Sequence, residues 1–221
     1  MHFENMTVFG LKNALIGMRL PMCKDFAEAQ EKCGSWAEKD YLSTDNERIC
    51  KNLIKADNNG CGQPNSKFLR MIHVQVAITA PMYFFNQLDT YKVGTVANST
   101  SKMHKLASTP ITMDCFEMDD FADNDEESNE YNLYTKNMWL KLIDHLEALR
   151  KEFNETKDKR YWKELIRLLP ESWLQTRMFD CNYATLRNIY KWRKNHKLTE
   201  WHQFCEWIER DLPYAKELIM E

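Results

Sequence analysis

A strand that runs directly into a helix is the sequence feature that most constrains the fold. From Ile72 to Ile78, an apolar residue at every second position alternates with a more polar one, which is the period of a strand with one buried face. Pro81 follows closely, and proline suits the first turn of a helix because its missing N–H would have no partner there. The helix is predicted to continue to Leu88. The chain therefore combines sheet with helix.

Helices account for most of the remaining pattern. Between Trp139 and Phe153, apolar residues recur every three or four positions, which is the spacing of a long amphipathic helix. Further helices are predicted over residues 12–20, 46–56, 159–168, 182–193 and 199–208. We expect one α+β domain over residues 1–221, in which an antiparallel or mixed sheet is flanked by long helices.

The segments between these helices contain capping and turn residues. Thr44 or Asp45, Asn182 and Thr199 are suitable N-caps, because their side-chain oxygens accept hydrogen bonds from free N–H groups. Residues 57–65 are rich in Asn, Gly and Pro and form a turn by composition. Residues 6–11 are predicted as a short strand, and residues 89–104 as a loop that begins another helix near residue 99.

Composition excludes several classes of protein. The 221 residues contain no apolar stretch long enough to cross a membrane, and no apolar run follows a basic amino terminus, so we expect a cytoplasmic protein without membrane association. The net charge of −3 and the even spread of basic residues disfavour nucleic acid as a partner. Seven cysteines without ligand spacing are predicted to be reduced thiols.

Metal and standard cofactor motifs are not apparent. Residues 114–130 carry nine Asp or Glu residues and are predicted to be a solvated loop, with a divalent-metal site as the alternative. His196 and His202 are six residues apart, which is not the spacing of two ligands on one helix face, so packing or surface roles are favoured. We expect no metal site. Glycine-rich nucleotide loops and standard hydrolase motifs are also missing.

A set of residues at fixed spacing in the carboxy-terminal part resembles a known family. The set is Leu169-Pro170, Asn182, Leu186, Asn188, Arg193 and Trp201. It is similar to the active-site half of the flavin-dependent thymidylate synthases, also called thymidylate synthase complementing proteins. The resemblance implies the α+β fold of that family.

A second block extends the resemblance and also departs from it. Ala80-Pro81, Gln87, Asn98 and Ser101 match the family pattern. Thr90-Tyr91-Lys92 stands where the family has Arg-His-Arg, and Met103-His104 stands where it has Arg-Tyr. Because arginine binds phosphate oxygens with two parallel hydrogen bonds, these losses predict a weaker grip on a flavin diphosphate.

The resemblance implies an enzyme that transfers a one-carbon unit from a folate to C5 of dUMP or a related pyrimidine nucleotide, with FAD supplying hydride. It assigns Arg193 and Ser101 to catalysis, and Gln87, Asn98, Ser101 and Arg193 to the nucleotide. It assigns Lys92, Asn182 and Asn188 to the flavin. It also implies a homotetramer whose sites are shared between subunits.

Other functions are compatible with the same residues. A protein of this fold without flavin would sequester or sense a nucleotide, and an interaction protein would bind no small molecule. Asn182 would then be only a helix cap, and Arg193 only a cation at the carboxyl end of a helix, where the helix dipole favours it.

Overall fold

The computed structural model describes residues 1–34, 42–58, 60–118 and 130–221, which contain one four-stranded sheet and several helices. The strands are β1 (His2–Phe9), β2 (His73–Pro81), β3 (Val96–Ser99) and β4 (Leu174–Asn182). The helices are α1 (Leu11–Arg19), α2 (Phe26–Cys33), α3 (Thr44–Ala56), α4 (Met82–Leu88), α5 (Lys102–Lys105), α6 (Glu130–Thr156), α7 (Lys159–Leu168), α8 (Tyr183–Arg193) and α9 (Thr199–Asp211). Short 3₁₀ turns cover Leu20–Met22, Lys67–Met71 and Met113–Cys115, and a π turn covers Lys216–Met220.

The four strands form an antiparallel sheet in the order β1-β2-β4-β3. The two central strands are the most buried, since β2 is buried at six of nine positions, whereas all four residues of β3 are exposed. The α+β fold expected from the sequence is confirmed, including the passage from β2 directly into α4. Pro81 was predicted in the first turn of the helix, but it is the last residue of β2, and α4 begins at Met82.

Three strands differ from the sequence-based expectation. The strand predicted over residues 6–11 is β1, which begins at His2 and ends at Phe9. The predicted loop over residues 89–104 contains β3, and α5 begins at Lys102 instead of near residue 99. β4 was not predicted, because polar side chains occupy part of its inward face beside the buried Phe179 and Cys181. Gln175 is buried there and donates from Nε2 to the carbonyl oxygen of Thr100 at 2.7 Å. The guanidinium of Arg177 lies 4.1 Å from the ring centroid of Phe85.

Helix ends agree with the predicted caps only in part. Asn182 caps α8, as expected, because its side chain accepts a hydrogen bond from the Thr185 N–H. Ser43 caps α3, so the prediction of Thr44 or Asp45 was one or two residues late. Leu198 precedes α9, and Thr199 is already helical, which makes the predicted Thr199 cap wrong.

The chain forms two compact units, each with its own core. The first contains residues 1–78, 88–98 and 178–221, and the second contains residues 79–87 and 99–177. In the first unit, Trp201 and Trp207 of α9 are fully buried, and Phe3 of β1 stacks on Trp207 at 5.0 Å between ring centroids. These tryptophans are core residues, whereas Trp192 is 68% exposed.

The core of the second unit lies between α6 and α7. Ile143, Leu146 and Leu149 of α6 are buried with Leu165 of α7. The predicted apolar face of α6 is therefore the packed one, and α6 begins at Glu130, well before Trp139. Most of the predicted acidic loop, residues 119–129, lies outside the described residues. Within the described part of the chain, no helix has both the length and the apolar character needed to cross a bilayer.

Candidate functional site

The amino-terminal end of α8 forms one wall of a cleft in the first unit. Asn182 is buried, and its Oδ1 accepts a hydrogen bond from the Thr185 N–H at 3.0 Å, with the Thr185 hydroxyl oxygen 3.2 Å away. Its Nδ2 has no acceptor among the described residues. Ala184, Thr185 and Asn188 follow on one helix face, because residues three and four apart are neighbours on a helix surface. The cap thus presents an amide donor to the cleft.

The second wall is the loop between α4 and β3. The Thr185 hydroxyl donates to the Val93 carbonyl oxygen at 2.9 Å, which fastens the loop to α8. Gly94 has a φ of +71°, and a Cβ at this position would lie 2.4 Å from Asn182 Nδ2. Only glycine allows this backbone to approach the cap so closely. The loop therefore holds Tyr91 and Lys92 beside α8.

The third wall is the segment that leads into β2. The Asp57 carboxylate accepts hydrogen bonds from the Ser66 N–H at 2.7 Å, the Ser66 hydroxyl at 2.6 Å and the Asn65 side-chain amide at 2.8 Å. Burial raises the pKa of Asp57, but these hydrogen bonds outweigh it and the pKa lies below its ordinary value. The loop predicted at residues 57–65 is thus closed by one ionised carboxylate.

The cleft encloses about 340 Å³ and is positively charged. Arg70 and Lys92 line it, and neither forms a hydrogen bond or ion pair within the part of the chain that the structure describes. The described residues that line it include no Asp or Glu. They are Cys61, Gln63, Arg70, Thr90, Tyr91, Lys92, Val93, Asn182, Ala184, Thr185 and Asn188. The cleft can therefore hold an anion together with a group that hydrogen-bonds to carboxamides.

Arg193 lies behind the cleft and contacts it through Tyr91. Its Nε donates to the Tyr91 hydroxyl at 2.9 Å, and its guanidinium lies 4.6 Å from the ring centroid of Trp201. The rings of Tyr91 and Trp201 pack edge to face at 6.2 Å. Arg193 is not among the residues that line the cleft, so in this structure it positions Tyr91.

Apart from Arg193, the residues predicted for the site fall into three groups. Lys92, Asn182 and Asn188, which the resemblance assigns to the cofactor, share the cleft. Asn98 belongs to the same unit and is exposed on β3. Gln87 and Ser101 belong to the second unit.

A second cleft in the second unit contains Ser101. It encloses about 290 Å³ and is lined by Ser99, Thr100, Ser101, Lys102, Ile166, Leu169 and Gln175. Its polar wall is fixed where the Gln175 side chain donates to the Thr100 carbonyl oxygen at 2.7 Å. Lys102 provides one cation there, next to hydroxyl groups.

Sequence reasoning missed several residues of the first cleft. Arg70, Gln63 and Thr185 had no recognisable spacing, because their position depends on the folding of the loop that Asp57 closes. The composition of residues 57–65 indicated the loop but not what it faces. The signal that the sequence offered was the glycine at position 62, because glycine permits a left-handed backbone and a close approach; in the structure its φ is +74°.

Potential metal ligands and thiol groups among the described residues bear on the chemistry of this cleft. Within residues 1–34, 42–58, 60–118 and 130–221, no group of three His, Cys, Asp or Glu side chains is arranged to hold a metal ion. Burial raises the pKa of the Cys61 thiol, so the one cysteine that lines the cleft is protonated near neutral pH. His196 packs on Trp201, with 6.2 Å between ring centroids.

Comparison with known proteins shows the fold. No family model and no curated protein sequence matches this chain. A crystal structure of the flavin-dependent thymidylate synthase ThyX from Helicobacter pylori, complexed with FAD and dUMP, matches it with a TM-score of 0.65 at 16% identity. The match covers 100% of this chain and 98% of that one. A second structure of the same enzyme with FAD and dUMP gives the same TM-score and coverage at 15% identity. The expected resemblance to this fold is confirmed.

Proposed function

We propose that the protein binds a flavin and a pyrimidine nucleotide and transfers a one-carbon unit to C5 of dUMP or a related nucleotide. The single observation that carries the proposal is that Lys92, Asn182 and Asn188 line one cleft although they come from distant parts of the chain. The likeness of the whole chain to a thymidylate synthase that holds FAD and dUMP supports the same reading.

The cleft has the chemical groups that a flavin requires. A flavin ring carries donors and acceptors at its edge, and the free Nδ2 of Asn182 and the side chain of Asn188 provide matching carboxamide groups. Tyr91 adds an aromatic ring, and Lys92 a cation. The volume of the cleft, about 340 Å³, lies within the usual range for ligand sites.

The residues of this chain would act by binding and orientation. A bound reduced flavin supplies hydride, and a folate supplies the carbon, so no protein nucleophile is needed. Asn182 and Asn188 would hold the ring, and the Arg193 hydrogen bond to Tyr91 would keep the loop in place. Ser101, Gln87 and Asn98 are proposed to bind the nucleotide, with Arg193 contributing a cation.

The competing proposal is a nucleotide-binding protein of the same fold without flavin chemistry. The observation that favours it is the sequence Thr90-Tyr91-Lys92, which places one cation where the family has two arginines. Such a protein would sequester or sense a pyrimidine nucleotide. Its cleft would bind the anion through Lys92 but would not retain a flavin.

Turnover separates the two proposals. The protein is incubated with dUMP, chemically reduced FAD and methylene-folate, and the nucleotide is analysed by mass spectrometry. We expect a product in which a methyl group replaces the hydrogen at C5. Absence of this product, together with thermal stabilisation by dUMP alone, would support the flavin-free protein. A nucleotide at about 100 times its dissociation constant adds about 2.7 kcal/mol, so binding is readily detected.

The proposed assembly is a homotetramer with sites shared between subunits. Shared sites would supply cations that a single chain lacks. Size-exclusion chromatography with light scattering measures the molar mass directly. A mass of four chains agrees with the proposal, and a monomer would remove the shared-site explanation.

A further inference from the structure

Arg70 is the cation of the cleft that the family pattern does not account for. It lies in the 3₁₀ turn Lys67–Met71, just before β2, and its exposed side chain lines the cleft with Lys92. It has no hydrogen-bonding or ion-pairing partner within the described ranges. A cation that faces a concave polar surface and has no protein partner is available to an anionic ligand.

The position of Arg70 is set by the chain around it. A Cβ at Gly62 would lie 3.0 Å from Arg70 Nε and 2.7 Å from the Cβ of Ala184. The Arg70 side chain therefore lies against the Gly62 backbone, near the first turn of α8. The loop that carries Gly62 is itself closed by Asp57. Arg70 is thus held in the cleft by backbone packing, although its charge is free.

The charges around Arg70 favour an anion. The positive end of the α8 dipole is directed towards the same cleft wall, where Ala184 and Thr185 lie. No carboxylate is among the described residues lining the cleft to offset Arg70 and Lys92.

We propose that Arg70, together with Lys92, binds the phosphate or diphosphate group of the cleft's ligand. The guanidinium replaces part of the phosphate-binding capacity lost at Thr90-Tyr91-Lys92, because its planar fork binds two oxygens of one phosphate. The identification of the ligand as a flavin dinucleotide rests on the proposed function. The assignment of the phosphate to Arg70 rests on the cleft itself.

The test compares Arg70→Gln with Lys67→Gln, which removes the same charge from the same turn but does not line the cleft. Dissociation constants are measured by calorimetry for FAD, for riboflavin, which lacks phosphate, and for inorganic pyrophosphate. Arg70→Gln is expected to weaken the binding of FAD and of pyrophosphate about tenfold or more, and to leave the dissociation constant for riboflavin within about twofold of wild type. For Lys67→Gln, the dissociation constants for all three ligands should stay within about twofold of the wild-type values.

Two further measurements sharpen the comparison. Arg70→Lys keeps the charge and loses the fork, so its FAD affinity should fall between those of wild type and Arg70→Gln. Raising the salt concentration should weaken FAD binding to wild type more than to Arg70→Gln. Circular dichroism and thermal unfolding establish that each variant is folded before its affinity is compared.

The outcomes separate this inference from the proposed function. The phosphate assignment is overturned, while the flavin proposal stands, in either of two cases. In the first, FAD binds and its dissociation constant is the same for Arg70→Gln as for Lys67→Gln. In the second, Arg70→Gln weakens the binding of riboflavin as much as the binding of FAD. If pyrophosphate binds through Arg70 but no flavin binds, the assignment stands and the flavin proposal fails. If neither FAD nor pyrophosphate binds, both are overturned.

Discussion

Arg193 Nε donates a hydrogen bond to the Tyr91 hydroxyl at 2.9 Å, across 102 positions of the sequence. This bond connects the carboxyl end of α8 to the loop that forms one cleft wall, while the Thr185–Val93 bond connects the amino end of the same helix to that loop. The cleft is therefore built on a rigid helix that is fastened to its loop at both ends.

The Tyr91 hydroxyl should contribute to stability. Tyr91→Phe removes the hydrogen bond from Arg193 Nε to the Tyr91 hydroxyl, and we expect the free energy of unfolding to fall by about 1 kcal/mol. Urea denaturation monitored by circular dichroism measures it. Tyr134→Phe removes a hydroxyl from a residue that is 64% exposed, and should stay within about 0.5 kcal/mol. Equal effects of both variants would show that the bond contributes nothing.

Asn182 has a structural and a binding role that two substitutions separate. Asn182→Ala removes the cap of α8 and should cost about 1 kcal/mol of stability along with ligand affinity. Asn182→Asp keeps the capping oxygen but loses the free amide donor and adds a negative charge to the cleft. Its stability should equal that of wild type, while FAD affinity falls about tenfold. Unchanged FAD affinity in Asn182→Asp would limit Asn182 to its capping role.

Gly94 is predicted to be required for the approach of the loop to the cap. Gly94→Ala places a Cβ 2.4 Å from Asn182 Nδ2 at a φ of +71°, and should cost about 2 kcal/mol. In a double-mutant cycle with Asn182→Ala, the clash is removed and only the backbone strain remains. Gly94→Ala should then cost less in the Asn182→Ala background. If Gly94→Ala lowers the free energy of unfolding equally in both backgrounds, backbone strain alone causes the loss.

Stability at acid pH should depend on Glu147 in the second unit. The Glu147 carboxylate accepts two hydrogen bonds from Arg150, at 2.6 and 2.7 Å, and one from the Ile111 N–H at 2.9 Å. The Arg150 hydrogen bonds lead in lowering the pKa of Glu147 from 4.5 to about 2. Because the folded-state pKa is depressed, the stabilisation is complete above the unfolded pKa and is lost as the pH falls from 4.5 towards 2.

The matched variant for this effect is Glu147→Gln, which retains the shape of the side chain without its charge. The free energy of unfolding of wild type should exceed that of Glu147→Gln by on the order of 2 kcal/mol near neutral pH. This difference should shrink as the pH approaches about 3. Urea denaturation at a series of pH values measures both proteins. A difference that does not change with pH would show that the Glu147–Arg150 pair has no titration-linked effect.

The sequence predicts those parts of the fold in which the apolar residues follow the period of a helix or a strand. β2, α6 and α7 follow from hydrophobic periodicity, because their inward positions are apolar. β4 escaped prediction because Gln175 is buried through a hydrogen bond to Thr100, and Arg177 packs on Phe85. In both cases a tertiary partner makes an inward polar side chain acceptable.

The residues of the cleft likewise divide into those that the sequence predicted and those that it did not. Lys92, Asn182 and Asn188 were found because they occupy fixed offsets in a pattern that resembles a known family. Arg70 was not found, because a single arginine in a polar segment has no characteristic periodicity or spacing. Its place in the cleft depends on the turn that Asp57 closes and on the approach allowed by Gly62. Such residues become visible only when the tertiary structure is known.

The absorbance spectrum of the purified protein, recorded after incubation with FAD and desalting, tests the central claim most directly. We predict that the visible absorbance bands of flavin remain with the wild-type protein and are reduced in Arg70→Gln and Asn182→Asp. A wild-type protein that is folded, colourless and without flavin fluorescence after this treatment would contradict the proposal that the cleft holds a flavin.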